Sequence, residues 1–213
     1  MSNRGKPGKF IVIEGIDGAG TTTQANLLAQ KLRDDGLDVM QTAEPSEGPI
    51  GQMIRSILSH RLTLPDAEGG LNQRSLALLC AAERLDHLNT LIKPVLAAGI
   101  HVICDRYSPS TYAYQGVDGD EDMDAWIGQV DSKALTPDST IYLRIPFARD
   151  AIDRICLRGK VAEIFEKEEF LDKVIKRYDT YMGNLKKALK VNALLDPDMI
   201  AHIIWDDTKK LLI

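Results

Sequence analysis

Cysteine is scarce and scattered. Cys80, Cys104 and Cys156 are odd in number, far apart and without a CxxC pair, which excludes a disulfide framework or a zinc ribbon and fits a reduced cytoplasm. No uninterrupted apolar stretch is long enough to span a bilayer, and the positively charged start, MSNRGKPGKF, is not followed by a signal-like apolar core. The expectation is a cytoplasmic protein with no membrane partner. Positive charge is not in excess either: 26 Lys and Arg against 31 Asp and Glu give a net charge of −5, which argues against a general nucleic-acid binder and for small-molecule partners. There are no repeats, low-complexity tracts or linkers. His60, His87, His101 and His202 show no metal-ligand spacing and read as structural or surface residues. What is present is an ordinary globular composition, 44% hydrophobic over 213 residues, enough for one sizeable core and a single domain over 1–213.

Short β-rich runs at Phe10 to Ile13, Asp38 to Thr42, Ile100 to Cys104, Ser139 to Ile145 and Val191 to Leu195 alternate with helical patterns. That alternation predicts an α/β fold with a five-stranded parallel sheet flanked by helices. The first helix should begin near Thr22, bury Ala25, Leu28, Ala29 and Leu32, and stop at Gly36. A long helical stretch through Leu76 to Leu88 should be kinked or split by Pro94 before Gly99. Later helical stretches are expected over Met123 to Lys133, Phe147 to Arg158, Lys167 to Lys190 and Asp198 to Leu212.

A lysine is also missing where the local pattern asks for one. The run FIVIEGIDGAGTTTQ, Phe10 to Gln24, is a strand, a glycine loop and a helix start, close to the phosphate-binding pattern GxxxxGK[ST]. Gly15, Gly20 and Thr22 fit it, with Gly18 and Ala19 inside the loop, but Thr21 stands at the lysine position. The helix start at Thr21, Thr22 and Thr23 still presents unpaired N–H groups and a partial positive charge to an anion. Ligands of an open parallel sheet bind beyond the carboxyl ends of its strands. After the third strand comes DRYSPSTYAYQG, beginning at Asp105-Arg106. This pair joins a carboxylate suited to magnesium to a guanidinium suited to phosphate. Alternatives stay open here: a glycine turn without a ligand, an Asp–Arg salt bridge at a strand end, and Tyr107, Tyr112 and Tyr114 as core or surface residues.

Taken together, EGIDGAGTTTQ, LLCAAERLDHL, DRYSPSTYAYQG and PDSTIYL resemble the thymidylate kinase family of P-loop nucleoside monophosphate kinases, in order over Phe10 to about Tyr181. The resemblance implies a three-layer P-loop NTPase fold with a mobile lid at about 154–166, and transfer of the γ-phosphate of ATP to dTMP with Mg²⁺ in dTTP biosynthesis. It also implies a homodimer and no nucleic-acid partner. It puts Asp17 at the acceptor 3′-hydroxyl, Arg106 on the acceptor phosphate, and Gly15, Gly18, Ala19, Gly20, Thr21, Thr22 and Thr23 around the donor phosphates, with Thr22 and Asp105 at the metal. Arg55, Cys80, Arg84, Ser110, Thr111, Tyr114 and Gln115 fall at acceptor-site positions, Arg84 toward the base and Tyr114 against the deoxyribose. Arg154, Arg158 and Lys160 fall at the lid, with Glu163 and Glu166.

Four positions depart from the family pattern. Thr21 replaces the loop lysine, Ala43 stands where many bacterial members carry arginine, and Cys80 stands where a phenylalanine commonly stacks on thymine. Arg144 occupies a commonly acidic or neutral position, either as a cation near the site or facing solvent. Removing one preorganised cation typically costs about 10²–10³ in rate, against an acceleration of at least about 10⁶. The expectation is therefore that Arg154, Arg158 or Lys160 supplies the missing charge, with Arg158 counted among the catalytic candidates. Two other readings follow from the departures: a kinase for a different deoxynucleoside monophosphate, or a nucleotide-binding protein with little kinase activity.

Overall fold

The computed structural model describes residues 6–62, 71–117, 119–157, 168–185 and 187–212. Five parallel strands, β1 Phe10–Glu14, β2 Val39–Ala43, β3 His101–Asp105, β4 Ser139–Arg144 and β5 Ala188–Asn192, lie in the order β2-β3-β1-β4-β5. The central strand β1 is apolar on both faces because helices cover both. Successive side chains alternate between the two. Ile11 and Ile13 join Ile103, Ile141 and Leu143 in a core closed by α1 Thr21–Asp34, α8 Glu168–Gly183 and α9 Pro197–Leu212. Phe10 and Val12 face the other way, with Val102 and Cys104, under Leu88, Ile92 and Leu96.

Local chemistry explains most boundaries. The α1 helix buries Ala25, Leu28, Ala29 and Leu32 and ends at Gly36, whose φ of +77° a side chain would oppose. Leu37 N–H reaches Leu32 O and Gly36 N–H reaches Arg33 O, closing the helix end by the Schellman pattern. Between them α2 Pro49–Leu58 and α3 Gln73–His87 wall one side of the sheet's carboxyl edge. Asn72 caps α3, accepting from Arg74 N at 2.9 Å and Ser75 N at 3.3 Å. The expected effect of Pro94 is seen: α3 passes into a π-helical turn, Leu88–Ile92, and then α4 Lys93–Ala97. Proline lacks an N–H and crowds the preceding turn, which the wider turn relieves.

Two expectations are corrected. The helix after residue 167 ends at Gly183, and the last strand is Ala188–Asn192 instead of Val191 to Leu195. The Lys- and Ala-rich run 187–190 favours helix by itself, but pairing with β4, Thr140 opposite Ala188 through Arg144 opposite Asn192, overrides that preference. In addition, the run after β3 is a helix, α5 Ser108–Gln115, with Pro109 in its first turn. The remaining helices are α6 Met123–Val130 and α7 Ala148–Leu157.

At the end of β1, Glu14 is fully buried. It accepts hydrogen bonds from Tyr107 N (2.7 Å), Ser110 Oγ (2.8 Å) and Tyr178 Oη (2.9 Å), tying β1 to α5 and α8 directly beneath the glycine loop. Burial pushes its carboxyl up to about 7, outweighing Arg106 and the three donors that act in the opposite direction. The folded value lies above the unfolded one, so the proton favours the folded state. Its stabilisation is complete below pH 4.5 and lost as pH rises through about 7. Urea unfolding of the wild type and Glu14→Gln across that window should show the variant gaining about 3 kcal/mol relative to the wild type as pH rises. A pH-independent difference would refute the assignment.

Candidate active site

The loop from Gly15 to Thr22 leaves β1 at the middle of the sheet. A Cβ on Gly15 would lie 2.9 Å from Leu143 O, and one on Gly18, at φ +83°, would lie 2.6 Å from Ala151 O of α7. Only glycine lets the loop pack this closely. Gly20, at φ +93°, precedes α1 without capping it by a side chain. The first amides of α1 therefore face outward beside the helix's positive end. Thr21 is 6% exposed, a neutral side chain folded against the loop. Thr22 Oγ1 donates to Asp105 Oδ2 at 2.5 Å, across from the end of β3. Asp105 Oδ1 is buried and has no hydrogen-bond partner among the described residues.

Next to the loop opens a cavity of about 400 Å³, walled by α2, α3 and α5. Asp17 and Arg106 meet at its mouth: Arg106 Nη2 donates to Asp17 Oδ1 at 2.7 Å, and Tyr114 Oη donates to Asp17 Oδ2 at 3.0 Å. The Arg106 guanidinium lies 5.5 Å over the Tyr114 ring. Arg106 holds φ +69°, a conformation that costs a non-glycine residue energy and that the surrounding contacts must enforce. Burial alone would favour loss of its proton, but Asp17 prevails and holds its pKa well above the usual arginine value.

At the far end of the cavity Arg84 is 2% exposed and held on three sides. Nε donates to Glu44 Oε2 (2.9 Å), Nη1 to Asp131 Oδ1 (2.5 Å) and Nη2 to Thr111 Oγ1 (3.0 Å). Burial works against this charge too, and Glu44 and Asp131 more than offset it. Burial likewise pushes the neighbouring Cys80 thiol up to about 12, so Cys80 offers a small neutral surface and no thiolate. Glu44, Glu83 and His87 bring potential ligand atoms within 4.8 Å of one another. His87 Nε2 pairs with Thr42 Oγ1 at 2.8 Å, Ser46 N donates to Glu83, and Arg84 supplies positive charge against Glu44.

The cavity thus brings together Asp17, Arg55, Cys80, Arg84, Asp105, Arg106, Ser110, Thr111, Tyr114 and Gln115. Arg55 turns back onto Pro45 O and Glu47, and Ser110 is engaged by Glu14 and Tyr178. Arg154 reaches the loop from the opposite side, donating from Nη1 to Gly18 O at 3.4 Å. Arg144 is not part of the site: Asp179 binds it at 2.9 Å. Of the aromatic candidates, Tyr112 packs on Tyr181, while Tyr107, otherwise core, and Tyr114 both line the cavity. Arg158, Lys160, Glu163 and Glu166 lie outside the described residues. Sequence reasoning missed Glu14, Glu44 and Asp131 as partners. Glu44, at a strand end before Pro45, carried a readable signal; Asp131 carried none.

A family model described as thymidylate kinase matches residues 13–200. The thymidylate kinase of Desulfotalea psychrophila is 39% identical over 213 residues, covering 100% of this chain and 98% of its own. The probable thymidylate kinase of Pyrococcus horikoshii is 40% identical over 187 residues, covering 88% and 89%. With matches of this extent, and with the glycine loop and the adjoining cavity both assembled at the carboxyl edge of the sheet, the chain belongs to the thymidylate kinase family.

Proposed function

We propose that this chain, as a single cytoplasmic domain acting in a homodimer, transfers the γ-phosphoryl group of ATP to dTMP, giving ADP and dTDP for dTTP synthesis. The observation that carries this reading is the Asp17–Arg106 pair, set between an anion-binding loop and a cavity of nucleotide size. In this reading the amides of Gly18 to Thr23 hold the donor phosphates, and Arg106 grips the acceptor phosphate while one edge stays on Asp17. Asp17 also offers an acceptor oxygen to the sugar hydroxyl. Tyr114, locked by its bond to Asp17, packs against the deoxyribose.

The metal implied by the family fits the residues at the loop. Thr22 contributes a hydroxyl, and Asp105 a carboxylate whose Oδ1 is buried without a partner among the described residues, an oxygen donor set suited to a hard cation. When bound there, Mg²⁺ neutralises charge on the phosphate oxygens. Thr21 cannot replace the absent lysine's charge. Arg154, which donates to Gly18 O, is our candidate for that role, with Arg158 and Lys160, outside the described residues, as further candidates.

Purified protein with Mg-ATP should release ADP with dTMP far faster than with dCMP, dAMP or dGMP. A clear preference for another acceptor would favour the reading that Cys80 and Ala43 suggest. Nucleotide binding with no product for any acceptor would favour a noncatalytic protein. Chelation of Mg²⁺ should abolish turnover, and Thr22→Val should raise the Mg²⁺ concentration for half-maximal rate by about tenfold or more, measured by titration at saturating ATP. Arg154→Ala should lower kcat by about 10²-fold with little change in KM for dTMP. If Arg154→Ala, Arg158→Ala and Lys160→Ala all leave turnover unchanged, the lost lysine has no replacement among these three.

A further inference from the structure

Behind Arg84, and not itself lining the cavity, sits a carboxylate with no evident reason to be there. Asp131 caps the carboxyl end of α6, where a negative charge opposes the helix dipole. Its side chain is nevertheless 93% buried, and both oxygens are committed. Oδ1 accepts from Arg84 Nη1 at 2.5 Å and Oδ2 accepts from Ser108 Oγ at 2.8 Å, so the carboxylate cannot rotate. Ser108 opens α5, the helix that also carries Thr111, the acceptor for Arg84 Nη2. Arg84 is thus fixed by Glu44 at its Nε and by Asp131 and Thr111 at its two terminal nitrogens. The Tyr107 ring lies 5.1 Å beneath it. These three bonds leave one hydrogen unused on each terminal nitrogen of an arginine that lines the cavity.

A guanidinium has donors and no acceptor. Held at a fixed angle, it favours a base edge that presents an oxygen and opposes one that presents an amino group. Loss of Asp131 would leave Arg84 buried and charged, still held by Glu44 at Nε and Thr111 at Nη2, but with its Nη1 edge no longer fixed. Building on the dTMP reading, we infer that Asp131 is a positioning residue for base selection. Through the Arg84–Asp131–Ser108 chain of hydrogen bonds it aims Arg84 so that a pyrimidine with a 4-oxo group is accepted and one with a 4-amino group is rejected.

The test compares kcat/KM for dTMP, dUMP and dCMP in the wild type, Asp131→Ala, Asp131→Asn and Ser108→Ala, each with a thermal melt. In Asp131→Ala the preference for dTMP over dCMP should fall by about tenfold or more, the effect of one misaligned hydrogen bond to a charged donor. The loss should appear mainly as a higher KM for dTMP, because the base is remote from the transferred phosphoryl group. The preference for dTMP over dUMP, which differ in a methyl group that Arg84 does not read, should stay within about twofold. Asp131→Asn keeps the accepting oxygen and should retain most of the discrimination. If Asp131→Ala lowers kcat/KM for all three acceptors alike, or leaves the dTMP to dCMP ratio unchanged, Asp131 has no part in base selection. If Asp131→Ala does not fold, Ser108→Ala decides by the same ratio: a smaller fall, about threefold, supports the role and an unchanged ratio overturns it. Should the wild type bind dTMP without turning it over, the kinase reading fails separately. The same comparison is then made on dissociation constants for dTMP and dCMP.

Discussion

A buried charge must be matched at close range, and that constraint shapes the carboxyl edge of this sheet. Arg84 is taken out of water there, and Arg106 is partly so. Arg106 is matched by Asp17, and Arg84 by Glu44 and Asp131. Each partner comes from a different part of the chain: the loop after β1, the end of β2 and the end of α6. Satisfying the charges therefore fixes the relative positions of the loop, α3, α5 and α6 before any nucleotide arrives. The acceptor cavity is the space left between these pairs, lined by donors already held at defined angles. Preorganisation of this kind is what makes an electrostatic site effective, since no reorientation is needed when charge develops.

The same reasoning separates what the loop loses with its lysine from what it keeps. The amides of α1's first turn, the close packing of Gly15 on Leu143 and of Gly18 on Ala151, and the side-chain bond from Thr22 to Asp105 all form without a lysine at residue 21. The proposed anion site is therefore a product of the fold itself. What lysine would add is one mobile charge on the transferred group. That is a rate effect of limited size, and another side chain can deliver it. Arg154 fits because α7 packs its backbone against Gly18, which carries the arginine to the loop without a long excursion.

How much of this could be read in advance depended on whether the cause was local. The strand–loop–helix from Phe10 to Asp34 was legible because burial, glycine and helix period all act within a few residues. Asp105 and Arg106 were legible because a strand end fixes where they point. The fifth strand was misplaced because its position is set by β4, far away in sequence, against a helix-favouring composition. Glu14 looked like the polar end of an apolar strand; its partners are 93 and more residues distant. Asp131 sits 47 residues from the arginine it holds, on a helix with no motif to connect them.

The two halves of the site meet in one residue. Asp17 belongs to the glycine loop by backbone and to the cavity by its carboxylate, which binds Arg106 and Tyr114, while its own N–H donates to Tyr114 Oη at 3.2 Å. Beneath it Glu14 joins the same loop to α5 and α8 through Ser110 and Tyr178. In the proposed reaction, a displacement of the loop would reach Arg106 and Tyr114 through the hydrogen bonds of Asp17, and α5 and α8 through those of Glu14. Phosphoryl transfer requires attacking and leaving oxygens to be held in line. In the proposed reaction a shared anchor would set the distance between donor and acceptor more tightly than two independent pockets could, because an error in one pocket would move the other with it.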